Sequence, residues 1–151
     1  MTIKPLLIKF KQNFRWFRVP LKQYKPDGTT FKDITRQTIL DEDLPGLNFS
    51  PRYFEIKAGG YSSLEKHQHV HVVFVLRGKG RVLLGAEVKE VAPFDCLYIP
   101  PDTWHQFQPL GKKTLGLLCF VDKDRDRPQL PSADDLEELR QNEAVEKFIK
   151  A

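Results

Sequence analysis

Between Gly59 and Gly78 the chain reads GGYSSLEKHQHVHVVFVLRG and carries three of its four histidines. The fourth, His105, follows a Pro-Pro turn in IPPDTWHQF, so every imidazole falls in two short strand-like segments. Imidazole and carboxylate are the usual ligands of a divalent transition metal, so Glu65, His67, His69, His71 and His105 form a candidate metal site before any fold is assigned. The competing reading is a polar strand edge carrying surface histidines. Side chains two apart on a strand share a face at a spacing of about 7 Å, whereas ligands about 2.1 Å from one ion must converge. The row therefore has to bend, and a turn near Gln68 to Val70 would bring residues 65, 67 and 71 together.

A chain of 151 residues, 40% of them hydrophobic, is long enough for one domain with a real core. No apolar run approaches the roughly 20 residues of a membrane span, and MTIKPLLIKF lacks the features of a secretory signal, so a cytoplasmic protein without membrane contact is expected. Cys96 and Cys119 lie in apolar strand-like runs, which predicts buried thiols rather than a disulfide. The formal charge of +4 is unevenly spread. Residues 1–36 carry nine Lys or Arg against Asp27 and Asp33, while 133–151 carry six acids against three bases. A basic N-terminal segment facing an acidic helix, within the chain or across a dimer, accounts for this. No recognition helix, zinc finger or stacking motif accompanies the charge, which argues against nucleic acid.

Alternation in FRWFRV predicts a half-buried N-terminal strand, KPDGT a turn, and FKDITRQTIL a second strand. RYFEIK places Phe54 and Ile56 on one face with Tyr53 and Glu55 on the other, and the glycines of AGG should end that strand. Further strands are expected in the stretch through His71 to Arg77, on both sides of Gly85, in DCLYIP and in KTLGLLCFVD. Strands at intervals of about ten residues indicate an all-β antiparallel sandwich or barrel. DKDRDRPQLP reads as an exposed extended segment. Ser132 with Asp135 three residues on is a helix N-cap signature, and Leu136, Leu139, Val145, Phe148 and Ile149 give one or two short C-terminal helices an apolar stripe. The chain thus divides into N-terminal strands extending the sheet (1–50), a barrel core (51–122) and a C-terminal extended and helical part (123–151).

Gly59, Glu65, His67, His71 and Gly78 fit the spacing of the first motif of the cupin superfamily, and Pro100, Asp102 and His105 resemble its second. This resemblance covers residues 52–121. It implies a double-stranded β-helix, or jelly-roll barrel, with one divalent transition metal (Fe, Mn, Ni, Zn or Cu) held by Glu65, His67, His71 and His105. The carboxylate comes first and a histidine third, a permutation of the family's usual order, and Asp102 and Pro109 replace its second-motif glycine and asparagine. The same register leaves His69 as a spare ligand or supporting group, or else a solvent-facing turn residue. A homodimer is implied as well, its N-terminal segment covering an open sheet edge.

The strand through His71 should be an inner one, apolar on both faces. Phe107 shares a face with His105, and either Phe54 or Tyr53 should join the interior. Arg52, Phe54, Val73, Tyr98, Phe107 and Gln106 are the candidate lining groups of a largely apolar pocket. Three neutral imidazoles and a carboxylate leave room for exchangeable ligands on the ion. Cupins include dioxygenases, isomerases, lyases and cyclases, so a metal-dependent enzyme acting on a small, partly apolar, oxygenated molecule is the first expectation. A non-catalytic binding module is the second, and a metal-stapled structural protein the third.

Overall fold

The computed structural model describes residues 3–24 and 29–151. The turn expected over KPDGT rests on residues 25–28, which lie outside the described residues. The element order is β1 (Lys22–Gln23), β2 (Lys32–Thr38), β3 (Phe49–Tyr61), β4 (His71–Arg77), β5 (Gly80–Leu84), β6 (Glu87–Val91), β7 (Cys96–Ile99), β8 (His105–Pro109), β9 (Leu115–Asp122), α1 (Ala133–Arg140) and α2 (Glu143–Phe148). The protein is mostly β. None of the described helices is long and apolar enough to cross a membrane.

Hydrogen bonding makes a six-stranded sheet in the order β1-β2-β3-β9-β4-β7 and a three-stranded sheet in the order β6-β5-β8. Their apolar faces pack on each other. Ile34, Phe54, Ile56, Val73, Val75 and Leu117 from the larger sheet share one buried cluster with Val82, Val91 and Phe107 from the smaller. Burying a side chain of this kind contributes about 1.5–3 kcal/mol. The connection from β4 in the larger sheet to β5 in the smaller turns at Gly78, whose φ of +69° suits glycine, and a β-carbon there would strike the Thr114 carbonyl oxygen.

Three local expectations are corrected. FRWFRV forms no strand beyond an isolated bridge between Phe10 and Trp16, because Asn13, Phe14 and Arg18 take positive φ and turn the chain. Its aromatics pack on the outer face of β3 instead, with Phe14 stacked on Tyr53 at 5.7 Å and Trp16 edge-on to it at 5.1 Å. Arg15 pairs there with Glu55, and the Phe14 carbonyl accepts from Gln37 Nε2. The AGG glycines do not end β3, which continues to Tyr61 through a register shift against Lys32 and Ile34. Strand β4 is hydrogen-bonded on both sides, but its outer face is not closed, since Phe74 stays 37% exposed.

The C-terminal part follows the sequence signals. Ser132 caps α1, and Ser132 and Asp135 form a reciprocal capping box, worth about 1 kcal/mol. Val145, Phe148 and Ile149 join Leu64 and Leu83 in a second buried cluster, with Leu136 and Leu139 against it. The helices therefore cover the outer face of the smaller sheet.

Candidate metal centre

Glu65 and His105 meet as an isolated antiparallel bridge, each backbone N–H donating to the other's carbonyl at 3.2 and 3.0 Å. The chain then bends at Gln68 and His69 before β4 starts at His71. The bend lies where it was expected, but the trio of residues 65, 67 and 71 is not one of the groups it forms. Ligating atoms of Glu65, His67 and His105 lie within 4.8 Å of one another, and so do those of His67, His69 and His71, with His67 common to both groups.

Backbone carbonyls fix the tautomers. His67 Nδ1 lies 2.7 Å from the His69 carbonyl and His105 Nδ1 2.9 Å from that of Thr103. A carbonyl can only accept, so each Nδ1 carries the proton and each Nε2 presents a lone pair. Both Nε2 atoms, and Nδ1 of His71, are buried without a hydrogen-bond partner. Burial holds the imidazoles of His67 and His71 below the usual histidine range and takes His105 down to about 4. Neutral imidazoles with inward lone pairs beside a carboxylate are the donor set a divalent transition metal requires, so these residues fit such an ion.

His69 is not a solvent-facing turn residue. It is 8% exposed, its ring stacks on His67, and its Nδ1 lies 2.7 Å from Asp126 Oδ1. Asp126 also accepts from the backbone N–H groups of Gln68 and His69 at 2.8 and 2.9 Å. These bonds hold its carboxyl well below the usual range, the one from Gln68 contributing most. The segment after β9, read from sequence as merely exposed, thus fastens the ligand turn. It is secured further by paired backbone bonds between Lys66 and Gln129 at 3.1 and 2.8 Å.

The histidines and Glu65 open onto a cavity of about 230 Å³. Ile34, Phe54, Ile56, Phe107 and Leu117 form its apolar wall, and Tyr24, Arg36, Arg52, Cys119 and Arg125 bring polar atoms to it. Of the expected lining residues, Arg52, Phe54 and Phe107 are there. Val73 is wholly buried in the core and Tyr98 is 60% exposed, because Leu97 and Ile99, not Tyr98, take the inward phase of β7. Gln106 points the other way, bonding the carbonyls of Ser62 and Lys150. Cys119 is buried with its thiol pushed up to about 12, whereas Cys96 is exposed, contrary to the sequence reading. Arg36, Arg125 and Asp126 were not anticipated. The available signal for Arg36 was its phase with Ile34, the one apolar residue of β2.

The sequence pattern of the cupin domain matches residues 52–121. Over 141 residues, 93% of this chain and 89% of the relative, the sequence is 43% identical to the 1-methylthio-D-xylulose 5-phosphate methylsulfurylase of Rhodospirillum rubrum. The chain belongs to the cupin superfamily. A crystal structure of a cupin 2 conserved barrel domain protein from Rhodopseudomonas palustris is 44% identical and superposes with a TM-score of 0.91, covering 97% of this cupin and 100% of that chain. A polyketide cyclase from Streptomyces resistomycificus, 20% identical over 92% of this cupin and 99% of that chain, superposes with a TM-score of 0.70, a likeness of fold alone.

Proposed function

We propose that this cupin is a metal-dependent enzyme whose substrate is a phosphorylated 2-ketose carrying a methylthio group, the compound named for its Rhodospirillum rubrum relative. Its two facing sheets are read as the family's double-stranded β-helix, with Glu65, His67, His71 and His105 holding one divalent transition ion. The observation that carries the reading is the pair of buried Nε2 lone pairs on His67 and His105, set beside Glu65 at the wall of a cavity. Similarity to the relative across nearly the whole chain supports the choice of substrate.

When bound, the ion supplies Lewis acidity toward adjacent oxygens such as a ketone and its neighbouring hydroxyl. The chain's own residues do the rest. His67 and His105 stay neutral because burial disfavours their charged forms, so protons do not compete for the lone pairs at neutral pH. Phe54, Phe107 and Leu117 offer a dry surface for a methylthio group. Asp126, bonded to the turn at residues 68 and 69, keeps His67 in position.

The test is to incubate metal-reconstituted protein with 1-methylthio-D-xylulose 5-phosphate in D2O. NMR then follows both its consumption and deuterium entry at the carbons flanking the ketone, with and without a low-molecular-weight thiol as sulfur acceptor. Change that disappears in His105→Ala is expected. A compound that binds unaltered under both conditions would make the protein a binding module, and one that does not bind would overturn the substrate assignment.

A further inference from the structure

Arg36 and Arg52 are unusual cations. Ile34 and Arg36 share one face of β2, Arg52, Phe54 and Ile56 share one face of β3, and all five line the cavity. Arg36 is registered opposite Phe54, and Thr38 opposite Arg52. The two arginines are thus diagonal neighbours on the inner face, the arrangement in which long side chains reach each other. Each guanidinium has a buried Nε without a hydrogen-bond partner, and among the described residues neither has an ion-pair partner. Arg52 lies over the Phe54 ring at 5.1 Å, which orients its plane without supplying an acceptor.

Like charges so placed repel, and desolvation penalises each, so the arrangement costs stability unless an anion completes it. Burial, followed by the neighbouring Arg125, lowers the Arg52 pKa. Arg125 comes from the segment after β9, lines the same cavity and is already partly neutralised by Glu42 at 3.2 Å. One cavity thus brings together histidines with a carboxylate and a set of guanidiniums, with Phe54, Phe107 and Leu117 in its wall.

We propose that Arg36 and Arg52, with Arg125 beside them, form an anion subsite that binds the phosphate ester of the substrate while its ketone end faces the histidine cluster. The choice of phosphate over another anion rests on the substrate reading above; the subsite itself rests on the arginines. A guanidinium presents N–H groups in a planar fork that suits a phosphate's oxygens, and two forks without carboxylate partners match a dianion better than a neutral sugar hydroxyl. The subsite also sets polarity, fixing which end of an extended ligand can approach Glu65, His67, His71 and His105.

The experiment is calorimetric titration of the metal-loaded full chain with D-xylulose 5-phosphate, D-xylulose, inorganic phosphate and D-xylonate, on wild type, Arg52→Met and Arg36→Met. Methionine keeps much of the side-chain volume, and metal content with thermal midpoint reports folding. The expected result is that wild type prefers the phosphorylated ketose to D-xylulose by about tenfold or more, that inorganic phosphate competes, and that either substitution removes most of the preference. Equal wild-type affinity for D-xylulose 5-phosphate and D-xylulose overturns the subsite without reference to any variant. Tighter binding of D-xylonate than of the phosphate ester overturns the choice of phosphate. A phosphate preference that depends on Arg52, in a protein that leaves the methylthio-ketose unchanged, sustains the subsite and rejects only the enzyme reading.

Discussion

His69 lies face to face on His67, ring centroids 3.6 Å apart and planes 1° from parallel. A metal sits in the plane of the imidazole that binds it, about 2.1 Å from the nitrogen. Two parallel rings at that separation cannot both hold one ion in plane, which favours His67, whose Nε2 is inward and unpartnered, as the ligand in the proposed site.

The first prediction follows from that stacking. His69→Ala should retain one metal per chain, whereas alanine at Glu65, His67, His71 or His105 should lose most of it. Elemental analysis after gel filtration decides the matter. Loss in His69→Ala together with retention in Glu65→Ala would place the ion among His67, His69 and His71 instead.

Asp126 leads to the second. Removing its carboxylate frees two backbone N–H groups and the His69 ring from their acceptor, and supporting partners of this kind typically change metal affinity by about 10–100-fold. Asp126→Ala should therefore bind metal in the same stoichiometry with affinity reduced to that degree in a chelator competition. Wild-type affinity would mean that the turn holds its shape unaided.

The two thiols give the third. Cys96 is exposed and should react with a disulfide reagent at once, while Cys119 is buried. Burial raises the Cys119 pKa from 9.0 to about 12, so near pH 8 only about one molecule in ten thousand carries its thiolate. One fast thiol per native chain and two after denaturation are expected. Because the folded state keeps this proton to higher pH than the unfolded chain, its contribution to stability is complete below pH 9 and declines as pH rises toward 12. Two fast native thiols would contradict the enclosed position of Cys119.

Glu55 supplies the fourth. It is 5% exposed and paired with both Arg15 and Arg77, whose side chains are 38% and 40% exposed. Removing the acid leaves two cations that can reach water, but removing both bases strands a buried charge. The Arg15→Ala, Arg77→Ala double variant should lose about 3–5 kcal/mol, more than Glu55→Gln, in urea denaturation. The reverse order would mean that Glu55 finds water when its partners are gone.

The fifth concerns assembly. Ile3, Leu6, Leu7, Phe10 and Phe17 are all more than half exposed, and apolar surface clustered in one segment marks a contact site. A homodimer, with about twice the 17.6 kDa chain mass, is expected in light scattering, and Leu6→Glu with Leu7→Glu should halve the mass without lowering monomer stability. A monomeric wild type would remove the prediction.

Much of this candidate site was readable from the chain because its proposed ligands are local: Glu65, His67 and His71 are spaced around one bend, framed by Gly59 and Gly78, and His105 follows a proline turn. The cavity was less readable, because Arg36 and Cys119 reach it only through the register of β2, β3 and β9, and Arg125 only through the segment that follows β9. Tyr98 went astray for a related reason. In Cys96-Leu97-Tyr98-Ile99 both alternating phases are apolar enough to face inward, and only pairing with β4 selects Leu97 and Ile99. FRWFRV alternated like a strand, yet its aromatics found Tyr53 as a partner without joining a ladder.

Asp126 and Gln129 come after every strand of both sheets, although the turn they fasten lies near the middle of the chain. During synthesis the histidines therefore emerge long before the groups that immobilise them. The turn at Gln68 and His69 can take its final shape only once this later segment has folded back onto it. A released chain ending before residue 126 would keep every strand of both sheets yet leave that turn without the acceptor that fastens it.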